Sequence, residues 1–473
     1  MTTTDVIVIG SGPGGSVTAR ECARAGLRVT VVEEGDWVEP GSLPPFSLEQ
    51  MRRQYRNEGL TVALGRPAVS YTEGRCAGGG SEVNSGLYHR PPPGLLERWA
   101  TTYGIDDLSD EVLAPFHQRV EERLAVQQLP TGLSPASEVL RRGADALGWA
   151  GLDVPRWATP VPDGTGAPVT RQTMTRTYLA DAVDAGVDLK VGLRAIRLVV
   201  DRGVCRGVVV RDSRTGRTEE LTAPLVVVCG GAIQTPALLL RSGVTAAGQV
   251  GRHLAVHPTV KAVARLAEAI NDPADVATYQ VKEFGSWMSI GGSASGPPLL
   301  ALQLADSWPS FGSRLEDWRR STSYYAAITG TGRGRVRVIP GRTDPLVTYA
   351  LTRQDVRSLR TALARLLHLL LAAGADEVYP SYVGASVVRD LADVPTAATG
   401  LTRTTASIMT VHLMGSARMG GDASSSACDS WGRVHGVGGL RVNDASLFPE
   451  AVGVNPQGTV MAIAHRNVQE MLR

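Results

Sequence analysis

The sequence predicts an α/β protein that combines a parallel sheet with a second, mostly antiparallel sheet. The apolar runs 6–9 and 29–32 enclose a glycine-rich turn and a helical segment, which is the arrangement of a Rossmann-type domain. The apolar run 225–229 leads into another glycine-rich turn and predicts a further strand of the same parallel sheet. Between residues 252 and 385, several strand-like segments precede one long amphipathic helix, which is typical of an α+β domain.

The first strand is followed at once by a turn with the spacing of a dinucleotide-binding loop. Gly10 allows the tight turn, Gly12 lets a pyrophosphate approach the backbone, and Gly15 lets the helix pack on the strand. The helix over about residues 16–24 points its free N–H groups and positive end at that phosphate. Glu33 ends the second strand, where an acid binds the ribose hydroxyls of an adenosine. A turn that merely needs glycines is the alternative, but strand, loop, helix, strand and acid in this order favour dinucleotide binding.

A second glycine-rich stretch covers residues 74–86 and follows an irregular region over residues 36–70. Three consecutive glycines in it are followed by Ser81 and Asn84. Exposed backbone N–H groups at such glycines cradle a phosphate or the edge of a planar ring. The alternative is a flexible linker, but the helix-like continuation argues against it.

The remainder of the first part alternates helices and strands. We expect residues 105–150 to be mostly helical and residues 150–170 to be irregular. Alternating patterns predict strands at 187–191, 197–200 and 204–211. The strand 225–229 passes through Gly230 into a helix with Pro236 in its first turn.

The middle of the chain is predicted to be rich in strands. The candidates lie at 259–266, 277–282, 286–292, 299–304, 323–330, 334–339 and 346–351, and a helix is predicted over 353–373. We expect residues 252–385 to form the substrate-binding domain. Residues 1–251, with a helical excursion over about 90–150, form the cofactor domain, and residues 386–473 return to it after a loop-rich start.

The C-terminal region carries the candidate chemistry. His412 lies in a run that continues through glycine, serine and arginine to Gly420. A single histidine beside such a turn is more often structural than catalytic, so its significance depends on its surroundings. Asn455 and Pro456 are a preferred N-cap and first residue for a helix, which predicts a helix over about 457–472 with its positive end beside them.

Taken together, these segments resemble the glucose–methanol–choline (GMC) family of FAD-dependent alcohol oxidoreductases. The resemblance covers most of the chain and runs through residues 5–35, 74–86, 230–243, 250–258 and the C-terminus. The run 452–456 is most similar to the cholesterol oxidase branch. The run 412–420 looks more like the sugar-oxidising and dehydrogenase branches.

The resemblance implies that the dinucleotide is FAD, so residues 1–251 become an FAD-binding domain. Some family members attach the flavin covalently to a histidine of the glycine-rich region, which here reads Leu87-Tyr88-His89-Arg90. This is no convincing match, so we predict non-covalent FAD. The catalytic pair implied by the resemblance is His412 with Asn455. The residues predicted to bind the cofactor are Gly10, Gly12, Pro13, Gly14, Gly15, Glu33, Glu34, Arg75, Gly78, Gly79, Ser81, Asn84, Ala195, Gly230, Asp444, Ala445, Asn455, Pro456 and Gln457.

The implied reaction is oxidation of a CH–OH group to a carbonyl. The hydroxyl proton leaves to His412 while a hydride leaves carbon for flavin N5, and imidazole suits the base role because its pKa lies near neutrality. Asn455 would hold the substrate oxygen, although an N-cap asparagine also uses its side-chain oxygen on its own helix. We expect His253 and His257 to be elements of the fold, and His435 and His465 not to be catalytic.

Three alternatives to this interpretation stay open. A nicotinamide-dependent dehydrogenase could use the same first motif, and a flavoprotein isomerase could hold FAD without oxidising an alcohol. The substrate is expected to be a sugar-like or natural-product alcohol, or else a sterol or other lipophilic alcohol.

Few aromatic residues are available to line a pocket, namely Trp287, Trp308, Trp318, Tyr324 and Tyr325. The electron acceptor is O₂, a quinone or another oxidant.

Bulk composition narrows the class of protein further. A net charge of +2 implies no bulk attraction to nucleic acid. Five scattered cysteines with no metal-binding spacing are typical of reduced thiols in the cytoplasm, and we predict no bound metal. No apolar run is long enough to span a bilayer, and the first strand leaves no room for a signal peptide. Lysine occurs only at positions 190, 261 and 282, which we interpret as compositional bias.

Overall fold

The computed structural model describes residues 4–129, 132–160, 169–272, 276–308 and 312–473. Its helices are α1 (Pro13–Arg24), α2 (Leu48–Gln54), α3 (Gly80–Val83), α4 (Leu95–Tyr103), α5 (Asp110–Arg123), α6 (Pro135–Leu147), α7 (Tyr178–Asp184), α8 (Gly231–Arg241), α9 (Pro297–Leu304), α10 (Arg353–Ala372), α11 (Val394–Gly400) and α12 (Gln457–Met471).

The strands of the cofactor half and its excursions are β1 (Val6–Ile9), β2 (Val29–Val32), β3 (Thr61–Ala63), β4 (Val69–Tyr71), β5 (Val126–Gln127), β6 (Gly151–Asp153), β7 (Arg156–Pro160), β8 (Val169–Arg171), β9 (Asp188–Lys190), β10 (Leu193–Asp201), β11 (Val204–Asp212), β12 (Thr218–Thr222) and β13 (Leu225–Val228). The remaining strands are β14 (Ala255–Val256), β15 (Thr259–Arg265), β16 (Tyr279–Val281), β17 (Met288–Gly292), β18 (Ser321–Ile328), β19 (Arg333–Arg337), β20 (Leu346–Ala350), β21 (Glu377–Pro380), β22 (Ile408–Thr410), β23 (Leu413–Met414) and β24 (Leu440–Val442).

A five-stranded parallel sheet forms the centre of the cofactor half, with the order β24-β13-β1-β2-β9. Strands β1 and β2 are buried along their whole length, as their continuous apolar runs predict. Strand β13 pairs with β1 in parallel, which confirms that the chain returns to the first sheet. Strand β24 joins the same sheet from a position more than two hundred residues later. The carboxyl ends of these strands therefore collect loops from both ends of the chain at one edge.

A second sheet of nine strands lies in the other half of the molecule, with the order β3-β4-β22-β15-β18-β17-β16-β6 and β21 paired to β15. Most of its pairings are antiparallel. Helix α10 packs on one face of this sheet, where Ala262, Tyr324 and Ala326 join its leucines in one buried cluster. Thr352 and Asp355 form a capping box that fixes the start of α10.

The segment 299–304 was expected to be a strand, and this prediction is wrong because the segment forms helix α9. Two prolines occupy its first turn, where their missing N–H groups cost nothing and their fixed φ suits a helix. The leucines that follow are good helix formers, and a short apolar run alone does not separate helix from strand. The other strand candidates of the middle region correspond to β15 to β20.

Smaller elements complete the chain. Strands β10, β11 and β12 form a separate antiparallel sheet, of which the sequence predicted only the first two strands. The region expected to be irregular, 150–170, holds β6 and β7, and part of it lies outside the described residues. All five cysteines are free and buried. Among the described helices, none has the length and apolar character needed to cross a membrane.

Candidate active site

One large cavity, with a volume of about 490 Å³, connects the dinucleotide loop to His412. Its lining includes Gly10, Gly12, Pro13 and Gly14 of the loop and also His257, His412 and Asn455. The cavity lies where the carboxyl ends of the parallel strands meet the inner face of the nine-stranded sheet. A ligand bound along it therefore contacts the predicted cofactor residues and the predicted catalytic residues together.

The dinucleotide loop has the shape that its glycines predict. Gly10 adopts a positive φ of 98°, and a side chain there would press on the backbone of Cys229. A side chain at Gly15 would overlap the carbonyl oxygen of Gly10, so this glycine lets α1 pack on the loop. Gly12 is different, because a Cβ atom at this position would meet no heavy atom within 4 Å. No side chain caps the start of α1, so its first N–H groups remain available to an anion.

Two adjacent acidic residues follow β2 and differ in their partners. Both carboxylate oxygens of Glu33 are held, one by the Ser11 amide at 3.0 Å and the other by the Gly35 amide at 2.8 Å. Burial raises the pKa of this carboxyl group. Glu34 instead forms ion pairs with Arg56 at 2.8 Å and with Arg75 at 3.2 Å. Burial opposes ionisation of Glu34, but the surrounding arginines outweigh it and lower the pKa.

The second glycine-rich segment contributes only part of its length to the cavity. Gly79 and Asn84 line the cavity, whereas Arg75, Gly78 and Ser81 do not. The Ser81 hydroxyl donates to the carbonyl of Gly78 at 2.8 Å, which is a contact within the segment. The Asn84 amide nitrogen donates to the Gln457 side chain at 2.7 Å and so ties the segment to α12.

The other predicted cofactor residues come from distant parts of the chain and meet at the same cavity. Ala195, Gly230, Asp444, Ala445, Pro456 and Gln457 all line it. The Asp444 carboxylate accepts from the Gly231 amide at 2.8 Å, at the start of α8, and burial raises its pKa. This set of uncapped helix starts, open glycine and anchored acids fits an adenine dinucleotide cofactor.

His412 is paired with a second histidine that sequence analysis assigned to the fold alone. The Nδ1 atoms of His412 and His257 are 2.8 Å apart, and the rings are nearly perpendicular. The Gly453 amide donates to Nε2 of His257 at 2.9 Å, so the proton of neutral His257 lies on Nδ1. That proton is donated to Nδ1 of His412, and neutral His412 therefore carries its own proton on Nε2.

Asn455 lies next to His412 and does not cap the final helix. Helix α12 begins at Gln457, Pro456 precedes it, and no side chain caps its first turn, so the predicted N-cap role of Asn455 is wrong. The Asn455 amide nitrogen lies 3.4 Å from Nε2 of His412. Because the side chain is not used on its own helix, it remains available to the cavity.

Burial dominates the electrostatics of these histidines. It lowers the pKa of His412 to about 4. The pKa of His257 falls well below its usual value, first through burial and then through the charges of His412 and Lys282. Burial, followed by the charges of Lys282 and His412, lowers the pKa of the neighbouring His89 to about 3, and a hydrogen bond with Asn455 opposes this shift. All three rings are therefore neutral at physiological pH.

The cavity lining includes titratable residues that sequence analysis did not place in the site, among them His257, Lys261 and Lys282. His257 had one sequence signal, because it precedes a proline at the end of a segment that also carries the family resemblance. The lysines had another, because they are two of only three lysines in an arginine-rich chain. Of the expected ring surfaces, only Tyr325 lines the cavity, and Tyr324 points into the core under α10. The described residues contain no cluster of metal-ligating side chains.

Family models match most of the chain. A GMC oxidoreductase N-terminal model matches residues 51–259, and a GMC oxidoreductase C-terminal model matches residues 331–464. A pyridine nucleotide-disulphide oxidoreductase model matches residues 4–86, which include the dinucleotide loop.

Several relatives are similar over almost the whole chain. The uncharacterized GMC-type oxidoreductase y4nJ of Sinorhizobium fredii is 35% identical over 99% of this chain and 94% of its own length. The uncharacterized GMC-type oxidoreductase Rv0492c of Mycobacterium tuberculosis is 32% identical over 98% of this chain and 75% of its own length. The long-chain-alcohol oxidase FAO3 of Arabidopsis thaliana is 26% identical over 98% of this chain and 67% of its own length.

Solved structures share the same overall fold. Pyridoxine 4-oxidase from Mesorbium loti superposes with a TM-score of 0.73 at 19% identity, covering 99% of both chains. A fungal aryl-alcohol oxidase superposes with a TM-score of 0.71 at 16% identity, covering 100% of both chains.

Proposed function

Because the chain belongs to the GMC oxidoreductase family, we propose that it oxidises the CH–OH group of a small alcohol to a carbonyl, with His412 as the base. One observation carries this proposal: His412 and Asn455 lie 3.4 Å apart on the wall of the cavity that the dinucleotide loop also lines. The names of similar proteins support it, since long-chain-alcohol oxidase, aryl-alcohol oxidase and pyridoxine 4-oxidase all describe alcohol oxidation.

The cofactor is a flavin, and we propose that FAD binds without a covalent bond. Gly12 and the start of α1 would hold its pyrophosphate, Glu33 its adenosine ribose, and Asp444 with Ala445 the part that leads to the flavin ring. His89, the histidine of the glycine-rich region, does not line the cavity, which supports a flavin without a covalent bond. Bound FAD supplies a ring that accepts a hydride. Acid precipitation should release the yellow chromophore into the supernatant, and a chromophore that stays with the protein would overturn this proposal.

His412 must present an unprotonated nitrogen to take the hydroxyl proton. In the arrangement that the Gly453 amide selects, Nε2 of His412 carries a proton and donates instead. We propose that base action uses the opposite pairing, in which Nδ1–H of His412 donates to His257. This pairing places the His257 proton on Nε2 and gives up the bond from Gly453, so movement of the Gly453 backbone accompanies activation.

Asn455 is proposed to hold the substrate oxygen against His412. Its side chain carries both a donor and an acceptor, so it can bond the hydroxyl oxygen and later the carbonyl oxygen without changing place. The start of α12 directly after Asn455 has uncapped N–H groups and a positive end. Negative charge that develops at this end of the cavity is stabilised there.

The family and the site geometry distinguish between the classes of protein that the sequence left open. Family membership favours a flavin over a nicotinamide cofactor. A flavoprotein isomerase would not need the paired histidines beside Asn455, which favours alcohol oxidation. We also propose that residues 252–385 form the substrate-binding domain and that O₂, a quinone or another oxidant accepts the electrons.

The decisive experiment is anaerobic reduction of the holoenzyme by a panel of alcohols, followed by the loss of flavin colour. Replacing His412 by alanine should slow flavin reduction about 10²- to 10⁴-fold, the usual contribution of a general base, while FAD content is unchanged. His368→Gln is the control, because His368 lies on α10 against Trp149, away from the cavity.

An unaltered rate in His412→Ala would remove the catalytic role from this residue. Failure of every alcohol class to bleach the wild-type flavin would remove the proposed reaction. Subsequent admission of air or of a quinone identifies the electron acceptor, since the yellow colour returns only with an oxidant that the enzyme uses.

A further inference from the structure

The inner face of the nine-stranded sheet, which forms the substrate side of the cavity, is polar and basic. Residues paired across neighbouring strands share a face, and Lys261 of β15 pairs with Tyr325 of β18. The Gln280 amide donates to the Tyr325 hydroxyl at 2.9 Å, so Gln280 lies on this face too. Lys282 follows two residues later and also lines the cavity. The alternate residues of these strands point the other way into the apolar core under α10.

The two lysines have no carboxylate partner. Across the part of the chain that the structure describes, no Asp or Glu oxygen lies within 4.0 Å of either ammonium group. Burial alone acts on their pKa values and lowers both to about 8. Partly buried cations in proteins are normally paired, because removing a charge from water is unfavourable without a counter-charge.

Lys261 is surrounded by donors that suit a bound anion. Its ammonium donates to the Ser293 hydroxyl at 2.8 Å, which leaves the hydrogen of that hydroxyl free. The Tyr325 hydroxyl accepts from Gln280, so its own hydrogen is also free to donate. Ser293 and Tyr325 both line the cavity. An oxyanion beside Lys261 would thus receive one charged and two neutral hydrogen-bond donors.

Lys282 lies nearer the reacting end of the cavity. Its charge lowers the pKa values of both His257 and His89, whereas that of Lys261 does not contribute there. The acidic residues of the cavity lining, Glu33, Glu34, Glu73 and Asp444, belong to the cofactor side. The substrate side therefore carries positive charge without compensation, and a narrow cleft of one sign concentrates the field on its ligand.

We propose that the substrate is an alcohol that also carries an anionic group, a carboxylate or a phosphate ester, which binds at Lys261, Ser293 and Tyr325. The hydroxyl group lies at the other end of the same molecule, against His412 and Asn455. This inference rests on the proposed alcohol oxidation and names its substrate class. It excludes a sterol or an unsubstituted long-chain alcohol, because neither brings a counter-charge to this face.

Binding of ligands that cannot be oxidised tests the anion site separately from the reaction. Isothermal titration of the holoenzyme with benzoate, phenyl phosphate and neutral benzamide compares two anions with a neutral ligand of similar size. We expect at least one anion to bind more tightly than benzamide. Lys261→Met should weaken that binding about ten- to a hundredfold, which corresponds to the loss of one charge-assisted hydrogen bond. Lys282→Met should weaken it by a smaller factor.

Lys190→Met is the matched control, since Lys190 is the third lysine and pairs with Asp188 at 3.1 Å away from the cavity lining. Lys261→Arg keeps the charge and should retain part of the affinity. Equal binding of benzamide and of both anions would overturn the inference, as would affinity for the anions that is unchanged in Lys261→Met. The choice between carboxylate and phosphate follows from which anion binds more tightly.

The kinetic arm uses p-hydroxymethylbenzoate and its neutral methyl ester. The inference predicts a higher kcat/KM for the anion and a selective loss of that preference in Lys261→Met. If the ester reduces the flavin with the same kcat/KM as the anion, alcohol oxidation is supported and the anion site is contradicted. If benzoate binds at Lys261 but no alcohol bleaches the flavin, the anion site stands and the proposed reaction falls.

Discussion

Two distant parts of the chain position His412, namely His257 and the segment 453–455. His257 holds its Nδ1 atom, Asn455 faces its Nε2 atom, and the Gly453 amide orients His257. Burial keeps the ring neutral, with a pKa of about 4. A neutral imidazole is the form that a base requires, so once its pairing with His257 has switched, His412 can take up a proton over the whole physiological range.

The pH profile of Asn455→Asp tests this arrangement. In the wild-type enzyme kcat/KM should be level between about pH 5 and pH 7 and should fall as the pH drops through the His412 pKa of about 4. With an anionic substrate it should fall again above about pH 8, where Lys261 loses its proton. A carboxylate beside Nε2 favours the imidazolium, raises that pKa, and should move the acid limb upward by about one to three units. Asn455→Gln is the neutral control. An acid limb that stays in place in Asn455→Asp would show that another group controls it.

Replacement of His257 tests its role as a positioning residue. His257→Ala should lower kcat about ten- to a hundredfold with little change in KM, as loss of a supporting partner does at other sites. His257→Asn should recover part of the rate, because its amide oxygen can accept from Nδ1–H of His412. Stopped-flow flavin reduction measures both variants. Equal defects in the two variants, together with a loss of FAD, would indicate a purely structural role.

Individual residues were predictable where a motif defined them. The glycines of the dinucleotide loop and Glu33 lie at the cavity as the spacing indicated, with Gly15 packed beneath it. His257 was not predictable, because its contact with His412 joins residues far apart in sequence, and only the fold brings them together. Lys261 and Lys282 were visible as rare residues, but their position on one face depends on strand pairing that the sequence does not state.

At the scale of elements, two glycines in the turn between β1 and α1 have different roles: Gly15 allows close packing, and Gly12 leaves space for the cofactor. Gly15→Ala should destabilise the protein by about 1–3 kcal/mol, because the added methyl group overlaps the Gly10 carbonyl. Gly12→Ala should leave the apoprotein as stable as the wild type, since the space around Gly12 is open, yet weaken FAD binding. Thermal unfolding of apoprotein and titration with FAD measure the two effects. The prediction fails if Gly12→Ala destabilises the apoprotein as strongly as Gly15→Ala.

Long, strongly patterned elements were predictable, and short ones were less so. Helix α10 follows its amphipathic pattern over twenty residues, from Arg353 to Ala372. Helix α9 was not predicted, because its eight residues, all apolar except Gln303, give too little periodicity to distinguish helix from strand. At α12 the helix itself was predicted, but its cap was placed one residue early, and this small shift frees Asn455 for the cavity.

At the scale of the whole molecule, FAD would lie between the two large sheets and should stabilise both. Any ligand that binds only the folded state raises stability, by about 4 kcal/mol at a thousandfold excess over its Kd. We expect removal of FAD to lower the Tm and re-addition to restore it in proportion to the logarithm of its concentration. FMN is the control, since it lacks the adenosine part that Glu33 and α1 are proposed to hold. Full rescue by FMN would contradict the role of the dinucleotide loop.

The fold class was predictable because the parallel and antiparallel sheets leave different patterns in the sequence. The continuous apolar runs of β1, β2 and β13 and the repeated strands of the middle region were enough to separate them. The recruitment of strands from other parts of the chain into the nine-stranded sheet was not predictable. Strands β3, β4, β6 and β22 join the nine-stranded sheet from outside residues 252–385, because their partners are set by packing at long range.

The scarcity of lysine also limits the positions at which lysine-specific proteases and amine-reactive labels can act on this protein. An endoproteinase that cuts only after lysine has three sites, at residues 190, 261 and 282, two of which face the interior cavity. Amine-reactive labels therefore meet few targets on the folded surface. Lys261 lies within strand β15, so cleavage after it requires the nine-stranded sheet to open. Limited digestion at this residue would report that opening directly and would slow when a ligand fills the cavity.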